Sequence, residues 1–192
     1  MRLLLASRSP QRRAILTQLG VPFAVRPADV EELAAGDPAV VAVENALRKA
    51  TALAGDPAVV AAGQTILGVD TIVVIGGEIH GKPDDAPHAR RTLAALAGRD
   101  HHVLSGIAVV DPAAATPRTA LAQTRVRFRQ LDDTTLDWYV ATGEWEGRAG
   151  GYAIQERGAA LIAEIDGDYL NVVGLPVAAL LELLPALLQE AV

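Results

Sequence analysis

Residues 67–75 read Leu-Gly-Val-Asp-Thr-Ile-Val-Val-Ile, an apolar run that carries one carboxylate and is closed by Gly76-Gly77. Residues 65–75 predict a buried central strand, the glycine pair a two-residue hairpin turn, and residues 78–80 the returning strand. A carboxylate in such a strand is expensive unless it meets a cation, a metal or hydrogen-bond donors. Asp70 is therefore either a structural carboxylate satisfied by nearby backbone groups or a functional one, and its position in the run favours function.

Around that strand the chain alternates irregularly between helical and strand patterns. Residues 2–6 predict a buried first strand. Ser9 and Pro10 read as N-cap and first helical residue of a helix that Gly20 closes. A second short strand spans 22–26. Asp37-Pro38 opens a helix with Val40, Val43, Leu47 and Ala50 on one face. Residues 86–96 predict a helix stopped by Gly98. Two strands, 102–110 and 119–128, are joined by the Pro-rich stretch 111–117, too short for a crossover helix, and so predict an antiparallel pair. Arg125, Arg127 and Arg129 then fall on one exposed face. Asp132 or Asp133 caps a helix ending at Gly143, and 159–165 and 169–173 read as strands paired about Asp166-Gly167. Pro176 opens a last helix to about Leu188, kinked by Pro185. The sheet should be mixed, in one domain over 1–192.

Composition limits what this fold can serve. The net charge of −6 argues against a general nucleic-acid surface, so an anionic ligand must be held by a local cluster of basic groups or through a metal. The absence of cysteine excludes disulfides and thiolate metal sites. The N-terminus has too short an apolar stretch for a signal sequence, and no run approaches the ~20 residues of a membrane span. The expectation is a cytoplasmic protein with neither membrane nor nucleic acid as partner.

Chemistry gathers first at Ser7-Arg8-Ser9-Pro10-Gln11-Arg12-Arg13. Helix N-termini carry unpaired N–H groups and partial positive charge, so Arg12 and Arg13 stand where acidic residues are expected. A bound phosphate would reverse that cost, with Ser9 at the same helix start; otherwise both side chains bend into solvent. Lys82, fixed between Gly81 and Pro83, suits a phosphate as a point charge, although lysines are common in surface turns. Taken alone, Glu31 and Glu32 are solvated loop charges and Lys49 an exposed helix residue. His101 and His102 point to opposite faces and cannot share a metal. Gln155 follows a glycine-rich loop that a ligand could approach closely. No Walker, GxGxxG or G-x-S-x-G pattern occurs. The residues alone give an anion site with a buried carboxylate, and no named reaction.

Five stretches resemble the Maf family of nucleotide pyrophosphatases: LLLASRSPQRRAILTQLGVPF, GVDTIVVIGGEIHGKP, LAGRDHHVLSGIAV, YVATGEWEGRAGGYAIQ and DYLNVVGLPVAALLELL. They follow the family's order and spacing over nearly the whole chain. The resemblance implies an inosine triphosphate pyrophosphatase-like α/β fold, a mixed twisted central sheet flanked by helices in two lobes with a cleft. It carries Ser9 and Arg12 onto the S-P-x-R phosphate loop, with Arg13 a secondary candidate beside them. Glu32 matches the acidic residue after the second strand, Lys49 the lysine of the next helix, and Asp70 with Thr71 the A-D-T motif. Lys82 matches the G-K-P lysine and Gln155 the glutamine of A-G-x-Y-x-I-Q. Gln11, Val69, Ala97 and Glu156 depart from the residues usual in the family.

The activity implied is cleavage of a nucleoside triphosphate to monophosphate and pyrophosphate with Mg²⁺ or Mn²⁺. Glu32 and Asp70 are the implied metal ligands and, with Lys82, the implied catalytic residues. Ser9, Arg12, Arg13, Lys49, Thr71 and Gln155 are implied to bind substrate. Lys82 paired with Gln155 resembles the dTTP/UTP-type subgroup rather than the one preferring 7-methyl-GTP. A homodimer is expected from the family. Other readings are a low-turnover nucleotide-binding regulator of cell division and a phosphomonoesterase.

Overall fold

The computed structural model describes residues 2–114 and 116–190. Met1, Ala115, Ala191 and Val192 lie outside them, and with them the two ends of the expected single domain and one residue of the 111–117 connection.

The long apolar run becomes the strand on which the sheet is built. It forms β3 (Gln64–Ile75) beside β1 (Arg2–Leu5), β2 (Phe23–Val25), β4 (Glu78–His80), β5 (Asp100–Val110), β6 (Arg118–Phe128) and β7 (Ile162–Asp166). The order is β2-β1-β3-β5-β6-β7, with β4 paired to β3. β1 runs parallel to β2 and β3, and the other pairs are antiparallel, so the sheet is mixed as expected.

The pairing leaves one gap that matters for function. β5 occupies one edge of β3 from Ile66 to Val74. On the other edge β1 pairs only as far as Leu67, and β4 begins at Val73. Between them residues 68–72 of β3 present an edge that carries no strand among the described residues, just where β1 ends and α1 (Pro10–Gln18) begins. In open α/β sheets ligands bind beyond the carboxyl ends of strands at such breaks in order.

Period-two alternation divides β3 between two layers. Leu67 and Val69 join Leu3, Leu5, α1 and the C-terminal α7 (Val177–Leu183) in one cluster, and Val73 and Ile75 join β5, β6, α4 (Ala86–Leu96) and α5 (Asp133–Ala141) in another. These are the two lobes. On the opposite face Ile66, Ile72 and Val74 lie beneath α2 (Pro38–Ala54). Asp37 caps α2 through the N–H groups of Ala39 and Val40, and α3 (Pro57–Ala61) follows it.

Several expectations need correction. The buried face of α2 is Val41, Ala42, Asn45, Ala46, Lys49, Ala50 and Leu53, while Val40 is exposed. The helix packs through small residues, because Gly68 and Gly106 let it approach the sheet closely: a Cβ on either would fall 2.1 Å from an α2 carbonyl oxygen. Residues 169–173 form a helix, α6 (Tyr169–Val173), not a strand, and β7 pairs with β6. The side chain of Asp168 caps α6, and buried Asn171 donates to Val103 O and Thr124 Oγ1, which fixes the helix against β5 and β6. Residues 157–161 are a 3₁₀ turn, so β7 starts only at Ile162. Arg129 lies past the end of β6, and α7 ends before Pro185. Arg125 and Arg127 are paired with Asp100 and Glu164.

Candidate active site

Where the sheet edge opens, a cleft of about 480 Å³ lies between the lobes, within the range of small-molecule sites. The end of β1 and the start of α1 form its floor, and the glycine-rich 147–155 segment with Lys82 forms the facing wall.

Arg12 is the best-fixed cation in it. Ser9 caps α1, its side chain accepting from Arg12 N–H at 3.4 Å while its hydroxyl donates to Gln11 at 3.0 Å. The Arg12 guanidinium then turns back beneath the helix. Nε donates to Gly174 O at 2.8 Å, Nη1 to Ser7 Oγ at 2.9 Å and Nη2 to Thr71 Oγ1 at 3.1 Å. All three acceptors are neutral. Burial pulls the Arg12 pKa below the ordinary arginine value, opposed by the more distant charges of Asp70 and Glu32. A guanidinium stays charged in proteins, so this is a buried cation whose three hydrogen-bond partners are uncharged. Its geometry draws on three distant elements, since Gly174 ends α6 and Thr71 is itself held by Ser105 Oγ at 2.8 Å.

Thr71 and Asp70 point to opposite faces of β3. Asp70 therefore meets α2. Its Oδ1 lies 2.6 Å from Lys49 Nζ and its Oδ2 3.1 Å from Asn45 Nδ2. Lys49 also lies 2.9 Å from Glu32 Oε1, so one ammonium bridges both carboxylates. Asp70 and Lys49 are buried, whereas Glu32 sits exposed on the loop between β2 and α2. Glu32 and Lys49 line the cleft, with Asp70 directly beneath Lys49.

The other wall is built by turns. Gly150 N–H donates to Gly81 O at 3.0 Å, tying the Lys82 turn to the glycine-rich segment. Gly150 has φ 68° and no room for a Cβ, which would lie 2.7 Å from Val73 Cγ2; here only glycine serves. Lys82 and Gln155 are both exposed on the cleft surface.

Ser9, Arg12, Glu32, Lys49, Thr71, Lys82 and Gln155 thus share one cleft, with Asp70 in contact through Lys49. Arg13 does not join them: it is exposed on α1 and outside the cleft lining. Glu156 is also outside the lining, its carboxylate 3.5 Å from Arg148, which does line the cleft. Sequence reasoning misses Arg148, Asn45 and Ser105. Asn45 is the most accessible of these, since it precedes Lys49 by four residues and so shares its helix face.

Asp70 and Glu32 suit a hard divalent cation, which takes one or two carboxylates and completes its shell with phosphate oxygens and water. Among the described residues no group of three or more His, Cys, Asp or Glu could hold a metal.

A family model described as Maf-like protein matches residues 2–187. A dTTP/UTP pyrophosphatase of Symbiobacterium thermophilum is 46% identical over 184 residues, covering 95% of this chain and 92% of that relative. One of Pyrococcus furiosus is 40% identical over 185 residues, covering 95% and 94%. A solved structure of a HAM1 protein from Coxiella burnetii is similar with a TM-score of 0.55 at 18% identity, covering 99% of each chain. That last likeness is one of fold alone.

Proposed function

The chain belongs to the Maf family, and from that membership we propose that it hydrolyses dTTP and UTP to the nucleoside monophosphate and pyrophosphate. Relatives named for this activity match over nearly the whole chain. The observation that carries the reading is Arg12, a buried guanidinium that among the described residues is bonded only to neutral acceptors, at a helix N-terminus that opens on a cleft. A buried charge hydrogen-bonded to no ionised group is costly, and a phosphate oxygen supplies that direct partner.

In this reading Arg12, Lys49, Lys82 and the start of α1 hold the triphosphate, with the Ser9 and Thr71 hydroxyls beside it. The Gln155 amide, with donors and an acceptor, faces the pyrimidine. A water oxygen attacks the α-phosphorus in line, the bond to the α–β bridging oxygen breaks, and pyrophosphate leaves with the bonding pair. The water's proton passes to Glu32 or Asp70. The reaction requires Lys49 to change partners. As it turns to a phosphate it releases the carboxylate oxygens it holds. Glu32 and Asp70 would hold a Mg²⁺ or Mn²⁺ ion, which when bound draws negative charge from the phosphate oxygens. The reading makes this a cytoplasmic nucleotide enzyme and a homodimer, with neither nucleic acid nor membrane as partner. No helix among the described residues is long and apolar enough to cross a membrane.

The test is pyrophosphate release from a panel of nucleoside triphosphates, 7-methyl-GTP included, with Mg²⁺ or Mn²⁺. dTTP and UTP should lead the panel. A preference for 7-methyl-GTP would move the chain to the other subgroup, and inorganic phosphate in place of pyrophosphate, released from a monophosphate ester such as dTMP as well, would make it a phosphomonoesterase. Tight dTTP binding without product after prolonged incubation with Mn²⁺ would make it a nucleotide-binding regulator and overturn the proposal.

A further inference from the structure

Asn45 lies on α2 one turn before Lys49 and is 1% exposed. Its Oδ1 accepts from Leu33 N–H at 2.7 Å, and its Nδ2 donates to Leu33 O at 3.0 Å and to Asp70 Oδ2 at 3.1 Å. The amide thus uses both donors and its acceptor, and every bond goes to the site's own framework. Leu33 is the chain neighbour of Glu32, and Asp70 is the other carboxylate on Lys49. One neutral side chain therefore joins the loop carrying Glu32 to the strand carrying Asp70.

The two oxygens of Asp70 are held by residues of different character. Lys49 holds Oδ1 with a full charge, and a triphosphate competes directly for that charge. Asn45 holds Oδ2 with a neutral amide, which a triphosphate has little power to draw away. A residue needed only to fasten the loop would require the two Leu33 bonds alone. The bond to Asp70 is the one that a fastening role leaves unexplained, and an apolar side chain of similar volume would fill the space without burying an amide.

We propose that Asn45 is a positioning residue of the carboxylate site. It fixes the plane of the Asp70 carboxylate through Oδ2 and the height of Glu32 through Leu33, so that Oδ1 is the oxygen freed when Lys49 turns to substrate. This rests on the pyrophosphatase reading above. The residue acts through Asp70 and Glu32 and touches no substrate, so its loss should slow turnover without weakening nucleotide binding.

The experiment compares the wild-type chain with Asn45→Ala, measuring kcat and KM for dTTP with Mn²⁺, the Kd of a non-hydrolysable dTTP analogue, and Tm. Turnover is read well below the variant's own Tm. The expected result is a fall in kcat of about tenfold or more, with KM and analogue Kd within about threefold of wild type. Should the alanine variant not fold, Asn45→Leu carries the same criteria, since it fills a similar volume and cannot donate to Asp70. A kcat within about twofold of wild type overturns the proposal and leaves the pyrophosphatase reading standing. So does a loss of kcat matched by an equal loss of analogue affinity, which marks a general disruption of the cleft. A wild-type chain that releases no pyrophosphate from dTTP or UTP overturns both.

Discussion

Arg12 and Lys49 are both buried cations at the open edge of β3, and they differ in what compensates them. Lys49 is neutralised twice over, by Asp70 and Glu32, whereas Arg12 is bonded, among the described residues, only to uncharged groups. The two should therefore respond differently to substitution. Lys49→Met strips a buried carboxylate of its cation and should cost stability, about 3–5 kcal/mol, seen as a lower denaturant midpoint. Arg12→Lys keeps the charge but loses the planar fork that reaches Ser7, Thr71 and Gly174 together. Its expected effect is a fall in kcat/KM for dTTP of about tenfold or more, roughly 1.4 kcal/mol in the transition state. A lysine variant with wild-type kcat/KM would mean that Arg12 serves only as a point charge. Asp70→Asn removes a carboxylate central to the proposed reaction and should abolish pyrophosphate release while leaving the fold intact by circular dichroism. At this scale the sequence is informative where a residue breaks a local rule. Asp70 in an apolar strand and Arg12 in a first helical turn both stand out in the bare sequence. Lys49 and Glu32 break none, because a lysine on a helix and a glutamate in a loop are ordinary; only the resemblance to the family singles them out.

The element that assembles the site is α2, and glycines opposite it set how close it comes. Gly106 pairs across the sheet with Asp70, and a Cβ there would lie 2.1 Å from Ala42 O and 2.6 Å from Val43 Cα. Backbone cannot yield as a side-chain tip can, so Gly106→Ala must push the helix off the sheet and carry Asn45 and Lys49 away from Asp70. The expected outcome is a destabilisation of about 2–3 kcal/mol with a loss of turnover. Gly55→Ala is the control. It caps the same helix at φ −87° with open space around its Cβ position, so it should change stability by about 1 kcal/mol or less, with turnover unchanged. Equal effects from the two variants would remove close approach as the cause. The same helix shows why its face is hard to read from sequence. Its apolar residues suggest a face through Val40, but the buried face is lined by alanines and two polar residues of the site. Hydrophobic periodicity cannot locate a face whose buried positions are polar for a purpose. Residues 169–173 mislead for a related reason. Their composition suits a strand, but the Asp168 cap and the bonds of Asn171 fix a helix that delivers Gly174 O to Arg12. By contrast β3, β4 and α4 are readable, since their glycine turn and helix start are local signals.

Across the whole molecule the second lobe has a weakness at acid pH, centred on His101. The ring is fully buried, edge-on to Phe128 and Tyr152, with Nε2 2.8 Å from the Tyr152 hydroxyl. Burial above all, helped by the nearby His102, pushes its pKa down to about 4. In the unfolded chain the same histidine titrates near its ordinary value of about 6.5. The unfolded state therefore binds a proton that the folded state refuses throughout that interval, and folding stability rises with pH across it. The contribution of neutral His101 is complete above about pH 6.5 and is lost progressively toward pH 4. From pH 7 to pH 5 the loss is about 2 kcal/mol, or roughly 4–8 °C in Tm for a chain of this size. His101→Gln retains a polar group near Tyr152 but does not titrate. Carboxylates elsewhere titrate alike in both proteins, so the difference between their Tm–pH curves isolates His101. The wild-type Tm should fall more steeply than the variant's between pH 7 and pH 5, with the gap closing as acid increases. Parallel curves would place the acid sensitivity of the fold in its carboxylates. Because the folded ring takes up a proton only near pH 4, the cleft wall that Tyr152 lines keeps its form between pH 7 and pH 5, and over that interval His101 should lower activity only through the fraction of molecules that unfolds.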